Sequence, residues 1–300
     1  MKHLLCVVGP TASGKTAFAA SLALELGGEV VSCDSVQIYK GFDIGSAKPT
    51  PDEMRGVPHH MLDVAEPHEV YSAGRYALEA DECVRDIYLR GKIPVICGGT
   101  GLYLKALAGE LADIPQCPRL DHGENAWEEL SRIDPTTAAR LAPGDRKRIW
   151  RALDVWKATG IPLSRYHENT PAPHYTTHCI ALDGGGRESL YARIDRRAAG
   201  MLERGLIEET EALLASGVPA ECPPMQSIGY RQAAAVISGR MSREEALEDI
   251  ARQTRRYAKR QITWFSGQMK ANWINLDKDA DSVKKNVEIF MKLCYTKAEE

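Results

Sequence analysis

The residues Gly9-Pro10-Thr11-Ala12-Ser13-Gly14-Lys15-Thr16 carry the spacing GxxxxGK[ST]. In that spacing two glycines let the backbone curl until successive N–H groups face one anion, and Lys15 adds a point charge for a terminal phosphate. The Thr16 hydroxyl is the group placed to ligate Mg²⁺. The pattern has meaning only between a strand and a helix, and both flanks qualify: Leu4–Val8 is an apolar run and Ala17–Leu26 has helical composition. The helix that begins there turns its positive end toward the same anion. The chemistry expected is Mg²⁺-assisted handling of a diphosphate or triphosphate, and the loop alone does not say which.

Two further residues occupy equivalent places. Asp34 follows the β-branched run Glu29–Cys33, and Thr100 follows Ile93–Cys97 across two glycines. Ala73–Arg90 has helical spacing and ends at Gly91. Strand alternating with helix predicts a parallel sheet with helices on both faces. Ligands of such sheets bind outside the carboxyl ends of the strands. Lys15, Asp34 and Thr100 are therefore expected to converge on one pocket. Asp34 has two readings there, a general base or a Mg²⁺ ligand. Thr100 has two that do not exclude each other, a contact to reacting groups and a cap for the helix beginning at Gly101.

The remainder of the chain frames that pocket. Pro115 to about Thr170 breaks the strand–helix alternation and reads as a small helical insertion, leaving an α/β phosphate-loop core at 1–116 and 171–300 with the insertion at 117–170. Cys179–Leu182 reads as a return to the sheet, and Arg187–Gly267 as helices broken near Gly217–Pro224 and at Gly239. Eight cysteines without a CxxC pair read as small buried residues, and His59 and His60 lack a third ligand at metal spacing. A net charge of −3 gives no global sign of a polyanion partner. One helix does: Arg252, Arg255, Arg256 and Lys259 fall on a single stripe, with Ala251, Ala258, Ile262 and Phe265 on a separate apolar one. The stripe reads as a polyanion or diphosphate contact against the alternative of a solvated face. No apolar run approaches the ~20 residues of a membrane span, and no secretory signal opens the chain, so a cytoplasmic location is expected.

The motifs GPTASGKT (9–16), DSVQIY (34–39), SAKP (46–49), PHH (58–60), GGTGLY (98–103), DRKRIWRAL (145–153), IGY (228–230) and TRRYAKRQITWF (254–265) together resemble the tRNA dimethylallyltransferase, or tRNA isopentenyltransferase, family. They follow the family's order over nearly the whole chain. The resemblance implies transfer of a dimethylallyl group from dimethylallyl diphosphate to the exocyclic amine of the adenosine 3′ of a tRNA anticodon. It also implies that the phosphate loop, residues 9–16, holds that diphosphate with Mg²⁺ at Thr16, aided by Arg193 and Arg197 of the segment LYARIDRR. Asp34 is then the base and Thr100 a contact to the reacting groups. The tRNA contacts implied are Asp34, Ser35, Val36, Gln37 and Thr100, then Lys147, Arg148, Ile149, Trp150 and Arg151, and the Met225–Tyr230 region. Arg255 and Arg256 of the basic stripe join them as tRNA contacts, and a monomer is expected.

Two departures from the family pattern stand out. The 115–134 stretch is shorter than usual and lacks the arginine that precedes the insertion's first helix, and Ser266 stands where arginine is common. The alternatives to be weighed are prenyl transfer to a free adenine nucleotide and a phosphate-loop kinase. A non-catalytic RNA-binding module is disfavoured because it has no use for a complete phosphate loop with Asp34 and Thr100.

Overall fold

The computed structural model describes residues 2–170, 172–275 and 280–295. Among these residues six parallel strands form one sheet: β1 (Lys2–Val8), β2 (Glu29–Ser32), β3 (His59–His60), β4 (Pro94–Cys97), β5 (Tyr175–Leu182) and β6 (Ala271–Ile274), in the spatial order β3-β2-β4-β1-β5-β6. The two outermost strands were not foreseen. β3 is two residues long, and β6, Ala271–Ile274, lacks the fully buried apolar run that marks β2 and β4.

Both faces of the sheet are covered, as the uninterrupted apolar runs require. Along β1, Leu4, Cys6 and Val8 point into one core with Tyr76, Val84 and Leu104, while Leu5 and Val7 point into the other with Ala19, Ala23 and Val95. That alternation is the period of two of a pleated strand. Helix Lys15–Glu25 seals the second face and helices Ala73–Leu89 and Gly101–Ala108 the first. Tyr76 is fully buried, yet its hydroxyl donates to the Ser32 carbonyl at 2.9 Å, so its ring stabilises the core without an orphaned polar atom. Glu29, at the start of β2, is buried against Arg90, Lys92 and His60. The Arg90 guanidinium holds its carboxyl far below the usual range, and His60 has a structural task.

The chain divides into two compact units, residues 109–173 and the remainder. The smaller one begins earlier than the expected 117 because its irregular lead-in belongs to it. The Leu120 N–H and the His122 ring both bond the buried Asp154 carboxylate, and Arg151 donates to the Pro115 carbonyl. Its helices include Ala126–Ile133 and Arg146–Thr159, around a core of Leu130, Ile149 and Leu153. Among the described residues no helix is long and apolar enough to cross a membrane.

The order of the central strands decides where a ligand can sit. From β1 the chain passes to β2 and β3 on one side, returns to place β4 between β2 and β1, then crosses to β5 on the other side. The loops after β1 and β5 therefore diverge from those after β2 and β4, which opens a crevice at the carboxyl edge. One wall of it is held by close contact: a Cβ on Gly98 would lie 2.0 Å from the Cys33 carbonyl oxygen. Gly98→Ala is expected to cost about 1–3 kcal/mol. Gly267→Ala, in a helix with open space around it, is expected to gain about 0.5–1 kcal/mol. Chemical unfolding of both variants checks the pair.

Candidate active site

A cavity of about 360 Å³ fills that crevice. Thr11, Lys15 and Thr16 line it from the phosphate loop, Asp34 to Gln37 from the loop after β2, and Gly98 and Gly99 from the loop after β4. Arg197, on helix Arg187–Glu203, and Tyr257, on helix Arg243–Gln268, close it from the far side.

Among the described residues neither Lys15 nor Arg197 has an acidic side chain within ion-pair distance. Lys15 Nζ donates to the Pro10 carbonyl at 2.6 Å, and burial pushes its pKa down to about 8 although the Asp34 charge opposes the shift. Burial also lowers Arg197, partly offset by Asp34. Two cations desolvated side by side are a receptor for an anion that supplies the missing counter-charge. The Cys97 thiol is pushed up to about 11 by burial, so it stays neutral in the wall.

Asp34 is aimed by its own loop. Its Oδ1 accepts the N–H groups of Val36 at 2.9 Å and Gln37 at 3.3 Å, an Asx turn that fixes the carboxylate plane. Among the described residues nothing donates to Oδ2. Thr100 stands behind this turn: its Oγ1 accepts the Ser35 N–H at 3.1 Å, and its own N–H donates to the Cys33 carbonyl. The hydroxyl is thus spent on the Asp34 loop, while the Thr100 carbonyl begins the next helix by accepting from Tyr103 and Leu104. Burial raises the Tyr257 phenol well above its ordinary range, with Asp34 adding to the effect, so it remains a neutral donor.

Other expected residues fall in varied places. Ser35 and Val36 line the cavity, and so does Gln37, but its amide is occupied by the Ser32 hydroxyl and the Ser46 and Ala47 carbonyls. His59 lines it as well. Of the Met225–Tyr230 region, Gln226, Ser227 and Ile228 reach the wall. Tyr230 is buried behind it, where its hydroxyl and the Ile44 N–H both bond the Glu209 carboxylate and so hold the loop around Gly45 in place. The two arginines of LYARIDRR separate. Arg197 faces the cavity, whereas Arg193 donates to the Gly184 carbonyl on the other side of the phosphate loop, beside Ser13 and Gly14.

The basic stripe is partly neutralised by acids outside the segment that suggested it. Arg252 pairs with Asp249 and Arg255 with Asp195, whereas Arg256, Lys259 and Arg260 are exposed and have no acidic partner among the described residues. In the smaller unit Lys147 and Arg148 are exposed, Arg148 paired to Asp145, and Trp150 and Arg151 are half-buried. Ile149 is a correction: at 1 % exposure its side chain is core and offers no surface to a partner. Tyr257 and Gln261 were passed over in the sequence. The available signal was that Gln261 lies on the apolar stripe between Ala258 and Phe265, where a polar residue must have buried partners.

This arrangement has known counterparts. The family model for IPP transferase matches residues 37–268. The chain belongs to the IPP transferase family. It is 43% identical over 287 residues to tRNA dimethylallyltransferase 1 of Trichlorobacter lovleyi, covering 91% of this chain and 93% of that one. A solved structure of a tRNA isopentenylpyrophosphate transferase from Bacillus halodurans superposes with a TM-score of 0.73 at 36% identity, covering 98% of this chain and 96% of that one. A eukaryotic dimethylallyltransferase acting on tRNA gives a TM-score of 0.83 at 27% identity, covering 98% of this chain and 79% of that one.

The lowered Lys15 fixes a pH response for anion binding. Below about pH 8 the ammonium is charged, and as pH rises through that value the charge is lost. Affinity for inorganic diphosphate is expected to fall about tenfold between about pH 7 and pH 9. Lys15→Arg, charged throughout, should flatten the decline. Calorimetric titration across that range is the check.

Proposed function

We propose that this chain transfers the dimethylallyl group of dimethylallyl diphosphate to the exocyclic N6 amine of the adenosine 3′ of a tRNA anticodon, releasing diphosphate. The observation that carries the reading is the meeting of a phosphate cradle and an oriented carboxylate on one cavity wall. Membership of the IPP transferase family and the tRNA-directed activities of its relatives support the acceptor.

The chain's residues divide the work. Phosphate-loop N–H groups, Lys15 and Arg197 take up the charge that develops on the diphosphate as the allylic C–O bond breaks. The amine nitrogen bonds to that carbon, which tolerates partial positive charge, and its proton passes to Asp34 Oδ2. Oδ1 is already held by two N–H groups, so the carboxylate reorients little during the transfer. The released diphosphate carries away the electron pair of the broken bond, and the proton on Asp34 balances the charge.

Mg²⁺ fits this site in a restricted way. Among the described residues no three His, Cys, Asp or Glu side chains are grouped to hold a metal unaided. A hard cation taking most of its oxygens from diphosphate and water needs only a hydroxyl such as that of Thr16, on the cavity wall beside Lys15. When bound it neutralises leaving-group charge.

A tRNA acceptor requires the target base to leave its stack. In this reading Ser35, Val36, Tyr257 and the 226–228 loop receive the base. Arg256 in the larger unit, and separately Lys147 and Arg148 in the smaller one, are the exposed cations available to a phosphate backbone. One chain supplies every residue this account uses, and the monomer is the working unit we propose.

Asp34→Asn keeps the turn-forming carbonyl and removes the base. Transfer of label from dimethylallyl diphosphate to unmodified tRNA is expected to fall by about 10²–10⁴-fold. Inorganic diphosphate should still bind, since Lys15 and Arg197 remain on the cavity wall. Retained transfer would remove Asp34 from the base role.

A further inference from the structure

We infer that Gln261 is a positioning residue that sets the distance between the diphosphate cradle and the acceptor side of the site, an inference that rests on the transfer reading above. Gln261 is 6 % exposed and sits in the C-terminal third of helix Arg243–Gln268, on a face it shares with Ala258 and Phe265. Its amide spends both ends on backbone. Oε1 accepts the Thr11 N–H of the phosphate loop at 2.8 Å, and Nε2 donates to the Gly99 carbonyl at 3.0 Å. These loops follow β1 and β4, and one side chain bridges them.

The bridge reaches the proposed base through the chain. Thr100 follows Gly99 directly, its hydroxyl holds the Ser35 N–H, and Ser35 follows Asp34. Gln261 therefore links the loop that receives the leaving group to the turn that carries the base. The same helix fixes how close it can come: a Cβ on Gly99 would lie 2.2 Å from Gln261 Nε2, and one on Gly101 would lie 2.0 Å from the Trp264 ring. The two glycines admit the helix against the loop, and Gln261 turns that approach into directional bonds. A buried amide with both ends satisfied holds its geometry because breaking either bond leaves a buried polar group unpaired. In a displacement reaction the separation between leaving group and nucleophile is what such a clamp controls.

The test compares Gln261→Met, which keeps the shape without either bond, and Gln261→Glu, which keeps the acceptor for Thr11 and sets a carboxylate against the Gly99 carbonyl. Each is assayed with labelled dimethylallyl diphosphate and unmodified tRNA, measuring kcat and KM for tRNA separately, with thermal melting to establish folding. The expected result is a loss of kcat of about tenfold or more in both variants, with KM for tRNA within about twofold of native. Gln261→Glu, which retains one of the two bonds, serves if Gln261→Met does not fold. Native kcat in a folded variant would overturn the inference, and so would a loss confined to KM for tRNA. Failure of the native chain to transfer label to tRNA would instead remove the reading on which the inference stands.

Discussion

Between the ends of β2 and β4 the backbone at Gly98 passes so near the Cys33 carbonyl that no side chain fits, and the Thr100 N–H donates to that same carbonyl at 3.1 Å. The rest of the site follows from this approach. It puts Thr100 within reach of the Ser35 N–H, which orders the turn carrying Asp34. It also brings Gly99 toward the phosphate loop, near enough for one glutamine to bond both. A side chain at position 98 would push the ends of β2 and β4 apart and disturb the Thr100–Ser35 contact that orders the Asp34 turn.

The electrostatics of the cavity favour an anion. Burial lowers both Lys15 and Arg197, so these cations are held at a cost in solvation that Asp34 only partly offsets. In the proposed reaction an entering diphosphate relieves that cost and shields the two cations from each other. The carboxylate meanwhile keeps one oxygen tied to backbone N–H groups and one facing the cavity. In the proposed reaction, proton acceptance and leaving-group stabilisation are thus assigned to loops from different strands of one sheet.

Much of this was legible in the chain. The phosphate loop declares itself because its spacing, its apolar strand and its helix agree, and Asp34 and Thr100 were placed by the rule that ligands gather at strand carboxyl ends. The rest depends on contacts between distant segments. Arg193 and Arg197 are four residues apart on one helix, yet only Arg197 reaches the cavity, because the other is drawn to Gly184. The stripe from Arg252 to Lys259 looked unpaired because one partner, Asp195, lies on another helix. Ile149 stood within a basic cluster, and only packing reveals it as core. Gln261 was hidden for the opposite reason, a polar residue on an apolar stripe whose two partners lie about 160 and 250 positions away.

The central claim is that one cavity joins a diphosphate donor to a base presented by tRNA. The most direct measurement offers labelled dimethylallyl diphosphate and Mg²⁺ to the native chain with two acceptors in parallel, an unmodified anticodon stem-loop bearing adenosine 3′ of the anticodon, and free AMP. The account predicts label on the RNA and none on AMP. Label on AMP and none on the RNA would contradict it, leaving the exposed Arg256, Lys147 and Arg148 as solvated surface and the chain as a prenyltransferase of free nucleotides.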